Sequence, residues 1–250
     1  MRPNNEDTLW AHPVGTPGAT AGDSEGRAAS GWPGLLLCAA DGMGGALAGE
    51  VASSMAVKGL AAEMDACAQS APASALAPRL VGAVEAVHAA IHAASERDPA
   101  LRGMGTTLTA AWVVGDELVV GQVGDSRAYL FRKGRLQQLT RDQSLVSKLL
   151  EDGVITEAQA ATMAGRNIIL QALGSEEPLE VVTTAQRLDL GDVLVLCSDG
   201  LCGVVDNKAI EADLQRGGAP AELAARLVAL AERHGGPDNI TVLVARAERP

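Results

Sequence analysis

Five short segments of this chain set a carboxylate where an apolar run meets a turn bearing glycine or asparagine. They are Asn5-Glu6-Asp7, Asp41-Gly42-Met43-Gly44-Gly45, Gly124-Asp125-Ser126, Ser198-Asp199-Gly200 and Asp238-Asn239. An aspartate at the end of a buried strand is costly unless it is paired, hydrogen-bonded or bound to a cation. A single one is an ordinary turn residue, because Asp-Gly alone is a common turn dipeptide. Four at the ends of apolar runs point instead to a shared cation. An all-oxygen donor set suits the hard divalent ions Mg2+ and Mn2+. After Asp41, and again at Gly200, glycine would let a backbone carbonyl approach a cation that a side chain would obstruct.

The segments between these acids alternate in character. Residues 35–40 are a continuous apolar run that reads as a buried strand. Residues 48–67 suit a helix. Leu76, Leu80, Val84, Val87 and Ile91 recur at spacings of four, four, three and four, which predicts a helix over 76–95 with one apolar face. Residues 106–114, 117–123 and 127–132 read as consecutive strands joined by tight glycine-bearing turns. Residues 144–152 and 156–164 read as short helices, the second opening on Thr156 as a cap. Strands rich in β-branched residues are predicted at 193–197 and 240–245, with an amphipathic helix at 220–234 between them. Residues 11–34, rich in Gly, Pro, Ser, Ala and Thr, read as a loop. Strands in runs and helices in pairs favour an α+β domain of layered, mainly antiparallel sheets over a doubly wound parallel sheet.

At 250 residues the chain is long enough to bury a proper core, and no linker or internal repeat divides it, so one domain over 1–250 is expected. Aromatic residues make up 2%, so that core must be built from Leu, Val, Ile and Ala. The formal net charge of −11 argues against nucleic-acid binding, which needs a basic surface. The four cysteines form no C-x-x-C pair and read as reduced thiols, Cys38 and Cys197 within strands. No leader pattern follows Met1, and no apolar stretch is long enough to cross a bilayer. A soluble, cytoplasmic, monomeric protein is expected.

The acidic segments, taken in order with their neighbours, resemble the type 2C metal-dependent protein phosphatases, the bacterial branch in particular. The matching segments are Arg2-Pro3-Asn4-Asn5-Glu6-Asp7, Asp41-Gly42-Met43-Gly44-Gly45, Gly103-Met104-Gly105-Thr106-Thr107, Gly124-Asp125-Ser126-Arg127-Ala128-Tyr129, Ser198-Asp199-Gly200-Leu201 and Asp238-Asn239-Ile240-Thr241. The resemblance implies a four-layer α-β-β-α sandwich with the metals at one end, between the two antiparallel sheets. It implies two or three Mn2+ or Mg2+ ions. Asp41 would bridge two of them, the Gly42 carbonyl would bind one, and Asp199 and Asp238 would hold the other. Asp7, with Glu6 beside it as a supporting acid, would anchor the bridged pair. Asp125 would join Asp199 in a looser third site, and Arg2 would grip the substrate phosphate. Such a set activates a water between two cations for in-line attack on phosphoserine or phosphothreonine. The implied partners are phosphorylated proteins and the Ser/Thr kinase that the enzyme opposes. Two rivals are a pseudophosphatase that grips phosphoproteins without turnover and a metallophosphohydrolase of small molecules.

The chain departs from that pattern in three places. Met43 stands where family members from higher organisms often carry a histidine able to protonate the leaving alcohol. A general acid is worth about 10²- to 10⁴-fold, so aryl phosphates, which need no such proton, should be cleaved with little handicap. Gln143 stands where many relatives have histidine, just before residues 145–165, which match a flap beside the active site. The resemblance also implies a strand ahead of Arg2, so either a translation start upstream or a missing first strand is expected, and without that strand Arg2 would fray. His88 and His92, four apart on a helix, read as a packed or solvent-facing pair in the absence of a third zinc ligand. Cys197 and Cys202 read as buried thiols flanking Asp199. His12 and His234 could serve as acids only if the fold brings them to the site. Arg132, Lys133 and Arg135 read as a solvated hairpin turn.

Overall fold

The computed structural model describes residues 4–15, 34–67, 76–160, 168–176 and 178–248, with 163 and 165 between them. Two antiparallel sheets carry the fold. The first contains β1 (Asp7–Pro13), β2 (Leu35–Met43), β4 (Leu108–Val114), β5 (Glu117–Val123) and β8 (Val182–Arg187) in the order β1-β2-β4-β5-β8, with the short β3 (Gly105–Thr106) also paired to β2. The second contains β6 (Arg127–Arg132), β7 (Arg135–Gln138), β9 (Val193–Cys197) and β10 (Val242–Arg246) in the order β10-β9-β6-β7. Helices α1 (Ala46–Cys67) and α2 (Leu76–Arg97) cover the first sheet. Helices α5 (Asp199–Cys202), α6 (Asn207–Gln215) and α7 (Pro220–Arg233) cover the second. Two small helices, α3 (Leu145–Glu151) and α4 (Glu157–Ala160), lie between β7 and β8 in sequence, where the flap is expected. The α-β-β-α sandwich is as anticipated.

Three cores explain why the strands read as unbroken apolar runs. In β2, Leu36, Cys38 and Ala40 face α1 and α2, while Leu37 and Ala39 face the other sheet. In β9, Val193, Val195 and Cys197 face α6 and α7, while Leu194 and Leu196 face the first sheet. Alternate side chains of one strand therefore enter two different cores, and no polar position remains. Each fully buried Leu, Val or Ile contributes about 1.5–3 kcal/mol. Helix α1 buries Ala48, Ala52, Ala56, Leu60 and Met64 at intervals of four, and the small alanines let it lie close to the sheet. Helix α2 buries the five residues whose spacing predicts it.

Several elements differ from expectation. The loop expected over 11–34 starts late, because Ala11, His12 and Pro13 belong to β1, which pairs Pro13 with Leu35. As an edge strand among the described residues, β1 has one paired neighbour, so it tolerates proline and needs little apolar signal. Residues 16–33 of that loop lie outside the described residues, as do parts of the 156–164 helix beyond Ala160. The strand expected over 106–114 is broken at Thr107, which turns its backbone to Asp41. Arg132 is not a free solvated cation: it grips the buried carboxylate of Asp192 through Nε and Nη2, at 2.9 and 2.5 Å. Cys38, Cys197 and Cys202 are free thiols. No helix among the described residues is long and apolar enough to cross a membrane.

Candidate functional site

The register of β1 on β2 sets Asp7 directly opposite Asp41. Like charges at such a cross-strand pair repel, yet the surrounding chain holds both in place. The amide of Asp41 donates to Thr107 Oγ1 at 2.9 Å. Its carbonyl accepts from the Thr107 amide and from Thr106 Oγ1, each at 2.9 Å. Thr107 Oγ1 also meets Ser126 Oγ at 2.9 Å, which joins the Asp41 strand end to the turn carrying Asp125.

The second sheet supplies the other two aspartates. Asp199 opens α5 one residue after β9, and Asp238 lies in the turn between α7 and β10. Ser198 knits the sheets together. Its Oγ donates to Asp7 Oδ2 at 2.7 Å and accepts from the Thr241 amide at 3.1 Å. Asn239 does the same for the start of the described chain. Its Oδ1 accepts from the Glu6 amide at 3.1 Å, and its Nδ2 donates to the Asn4 carbonyl at 3.0 Å.

Five carboxylates thus gather at one end of the sandwich, and their energetics show the strain. Burial, followed by repulsion from Asp7, Asp199, Asp125 and Asp238, pushes the Asp41 carboxyl up to about 10. Burial, then Asp199 and Asp142, pushes Asp125 up to about 7. Burial also raises Asp7, with Asp238 adding to it against the hydrogen bond from Ser198. The nearby cation of Arg127 is committed to Asp142, at 2.8 Å from Nε and 2.6 Å from Nη2. Asp7 Oδ1 and Asp125 Oδ1 are buried without a hydrogen-bond partner. Buried anionic oxygens left in this state fit a cation. No three His, Cys, Asp or Glu side chains among the described residues close on one point as a ready cage. Mg2+ does not require one, since it keeps several waters and takes one or two carboxylates, and Mn2+ shares its preference for oxygen. A cavity of about 200 Å³ opens beside Asp125 and Asp199, walled by Ser144, Ser147 and Leu150 at α3.

The fold gives some sequence features other roles. A Cβ on Gly42 would lie 2.1 Å from the Gly49 carbonyl oxygen of α1, and one on Gly200 would lie 1.8 Å from the Asn239 carbonyl oxygen. Both glycines are demanded by backbone crossing backbone. Glu6 is buried against α1, where a Cβ on Gly49 would meet its Oε2 at 2.2 Å. Arg2 lies outside the described residues. His12 is bound to Asp65 at 2.9 Å, about 16 Å along β1 from Asp7 by strand rise. His234 Nδ1 donates to the Leu230 carbonyl at the end of α7. Met43 pairs with Gly105 and has no acidic group to offer. The roles of Ser198, Thr106, Thr107, Asn239 and Thr241 were not legible beforehand. All five stand within or beside the quoted motifs, but their partners lie far away in sequence.

Comparison with known proteins gives a consistent picture. The family model described as Protein phosphatase 2C matches residues 23–232. The serine/threonine protein phosphatase PstP of Mycobacterium tuberculosis strain H37Rv is 41% identical over 245 residues, covering 98% of this chain and 42% of that protein. The chain therefore spans less than half the length of that curated relative. The serine/threonine phosphatase stp of Listeria monocytogenes serotype 4b is 39% identical over 213 residues, covering 85% of this chain and 84% of that protein. The crystal structure of M. tuberculosis PstP/Ppp matches with a TM-score of 0.82 and 40% identity, over 100% of this chain and 94% of that one. The catalytic domain of PstP in complex with two manganese ions matches at 0.79 and 40%, with the same coverage.

Proposed function

Because the chain belongs to the protein phosphatase 2C family, we propose that it is a metal-dependent protein phosphatase acting on phosphoserine and phosphothreonine. Two or three Mn2+ or Mg2+ ions would be held by Asp7, Asp41, the Gly42 carbonyl, Asp125, Asp199 and Asp238. When bound, such ions acidify a water and neutralise charge on the phosphoryl oxygens. The protein's part is to keep its acids converged despite their repulsion. Thr106 and Thr107 hold the Asp41 backbone, and Ser198 holds Asp7 across the two sheets. Arg2 would bind the phosphate, and Glu6 would support the start of β1. Met43 offers no proton, so water at the metal site would have to supply it to the leaving alcohol. The substrates would be cytoplasmic phosphoproteins made by an opposing Ser/Thr kinase, and the enzyme would act as a monomeric domain.

One observation carries this reading: five buried or half-buried aspartates share one end of the fold, and the buried Oδ1 atoms of Asp7 and Asp125 have no hydrogen-bond partner. The test is phosphate release from a phosphothreonine peptide with Mn2+, with EDTA, and with Asp41→Ala or Asp199→Ala. Release should need Mn2+ and should fall to background with EDTA or with either substitution. An intact protein that releases no phosphate with Mn2+ or Mg2+ would overturn the proposal.

A further inference from the structure

We propose that Gln143 is a positioning residue that ties the flap to Asp125 and so sets the cation affinity of the site to which Asp125 contributes. The inference rests on the metal-dependent reading above. Every polar group of Gln143 is used. Its amide donates to the Gly124 carbonyl at 2.9 Å, and its Oε1 accepts from the Gly124 amide at 2.7 Å. Its Nε2 donates to the Glu180 carbonyl at 2.8 Å, and its own carbonyl accepts from the Leu170 amide at 2.8 Å. The side chain thus joins the Asp125 turn to the approach to β8, while the backbone of the same residue holds Leu170 at the exit of the flap.

Gly124 has little freedom left. Its φ is +99°, and a Cβ there would lie 2.7 Å from Thr107 Cγ2. It is wedged between Gln143 on one side and Thr107, the residue that holds Asp41, on the other. Gln122 completes the bracket, donating from Nε2 to the Gly124 carbonyl at 2.9 Å. Asp125 follows immediately. Its buried Oδ1 has no hydrogen bond to steer it, so the direction of the carboxylate is set by the backbone that Gln143 fixes. The flap begins at Leu145, whose amide donates to the Ile168 carbonyl at 2.9 Å, and its returning segment reaches Gln143 itself at Leu170. Gln143 therefore links the flap root directly to the turn that carries Asp125, beside the longer link through Arg141 and Gln122.

The experiment is Mn2+ binding to the full chain, followed by electron paramagnetic resonance, for the wild type, Gln143→Ala and Gln143→His. The melting temperature without metal serves as the structural control. Removing a partner that orients a metal ligand typically weakens binding about 10- to 100-fold. That loss is expected for Gln143→Ala at the weakest Mn2+ site alone, with the tighter sites unchanged within about twofold. Gln143→His can accept from Gly124 with one ring nitrogen and donate with the other, and should restore most of the affinity. If Gln143→Ala lowers the melting temperature but leaves every Mn2+ site unchanged, or weakens all sites equally, the inference fails. If the wild type binds no Mn2+ at all, the metal-dependent reading fails with it, which is a separate outcome.

Discussion

Two glycines should respond in opposite ways to the same substitution, and the difference lies in what each faces. Gly200 sits where a Cβ would be 1.8 Å from the Asn239 carbonyl oxygen, with no flexible side chain to give way. Gly200→Ala must push the turn before β10 off the start of α5, drawing Asp238 away from Asp199. We expect it to destabilise the protein by about 3 kcal/mol or more and to weaken Mn2+ binding as well. Gly82 lies within α2 with nothing in reach of a Cβ. Gly82→Ala should stabilise by about 0.5–1 kcal/mol, through helix propensity alone. Urea unfolding of both variants checks the pair, and equal effects would refute the packing argument. The Asp-Gly segments marked the site correctly, because acids at the ends of apolar runs carry their own explanation. The reason for the glycines was hidden, since Gly42 answers to Gly49 and Gly200 answers to Asn239. Ser198 was hidden likewise, because its partner Asp7 is 191 residues away.

At the level of elements, α2 does more than cover the sheet. The amide of Gly174 can only donate, so His88 Nδ1, at 3.2 Å, must be the unprotonated nitrogen. The Gly174 carbonyl can only accept, so His92 Nδ1, at 3.3 Å, must carry a proton. The pair reads as packed, as expected, but what it packs is the backbone of one loop residue. The neighbouring Leu173 exchanges two hydrogen bonds with Thr106, at 3.2 and 2.9 Å, and Thr106 holds Asp41. Burial and the proximity of His92 lower the His88 pKa below its ordinary 6.5. A histidine lowered in the folded state gives its stabilisation in full above the unfolded value and loses it as pH falls through the folded one. The protection factor of the Gly174 amide should therefore be high near pH 7.5 and decline below about pH 6. A protection factor constant down to pH 5 would remove His88 from this role. Elements with a buried face, such as β2 and α2, were legible because periodicity records burial. The half-exposed edge strands β1, β7 and β8 were not, because too few of their side chains enter a core.

Across the whole molecule, the gathered acids make folding itself depend on protons and cations. In the unfolded chain Asp41 and Asp125 titrate near 3.9, whereas in the fold they are held up to about 10 and about 7. Between those limits the native state keeps protons that the unfolded state has released. The slope of stability with pH is then negative, and the metal-free protein loses stability as pH rises from about 4 toward 8. Other ionisable pairs add their own slopes, so the contribution is isolated by comparison with Asp41→Asn, which keeps the shape and removes the charge. Without metal, this variant should melt higher than the wild type, and the gap should widen from pH 5 to pH 8. A divalent cation does the opposite work, stabilising the ionised form. At about 100 times its dissociation constant it adds about 2.7 kcal/mol, or about 5–10 °C for a chain of this size. That gain should appear in the wild type at pH 8, shrink at pH 5 where protons compete for the same oxygens, and nearly vanish in Asp41→Asn. Melting curves of both proteins at both pH values, with Mn2+ and with EDTA, decide the matter. A variant that melts with the wild type throughout, and gains as much from Mn2+, would mean that Asp41 is neither the strained acid nor the cation's anchor.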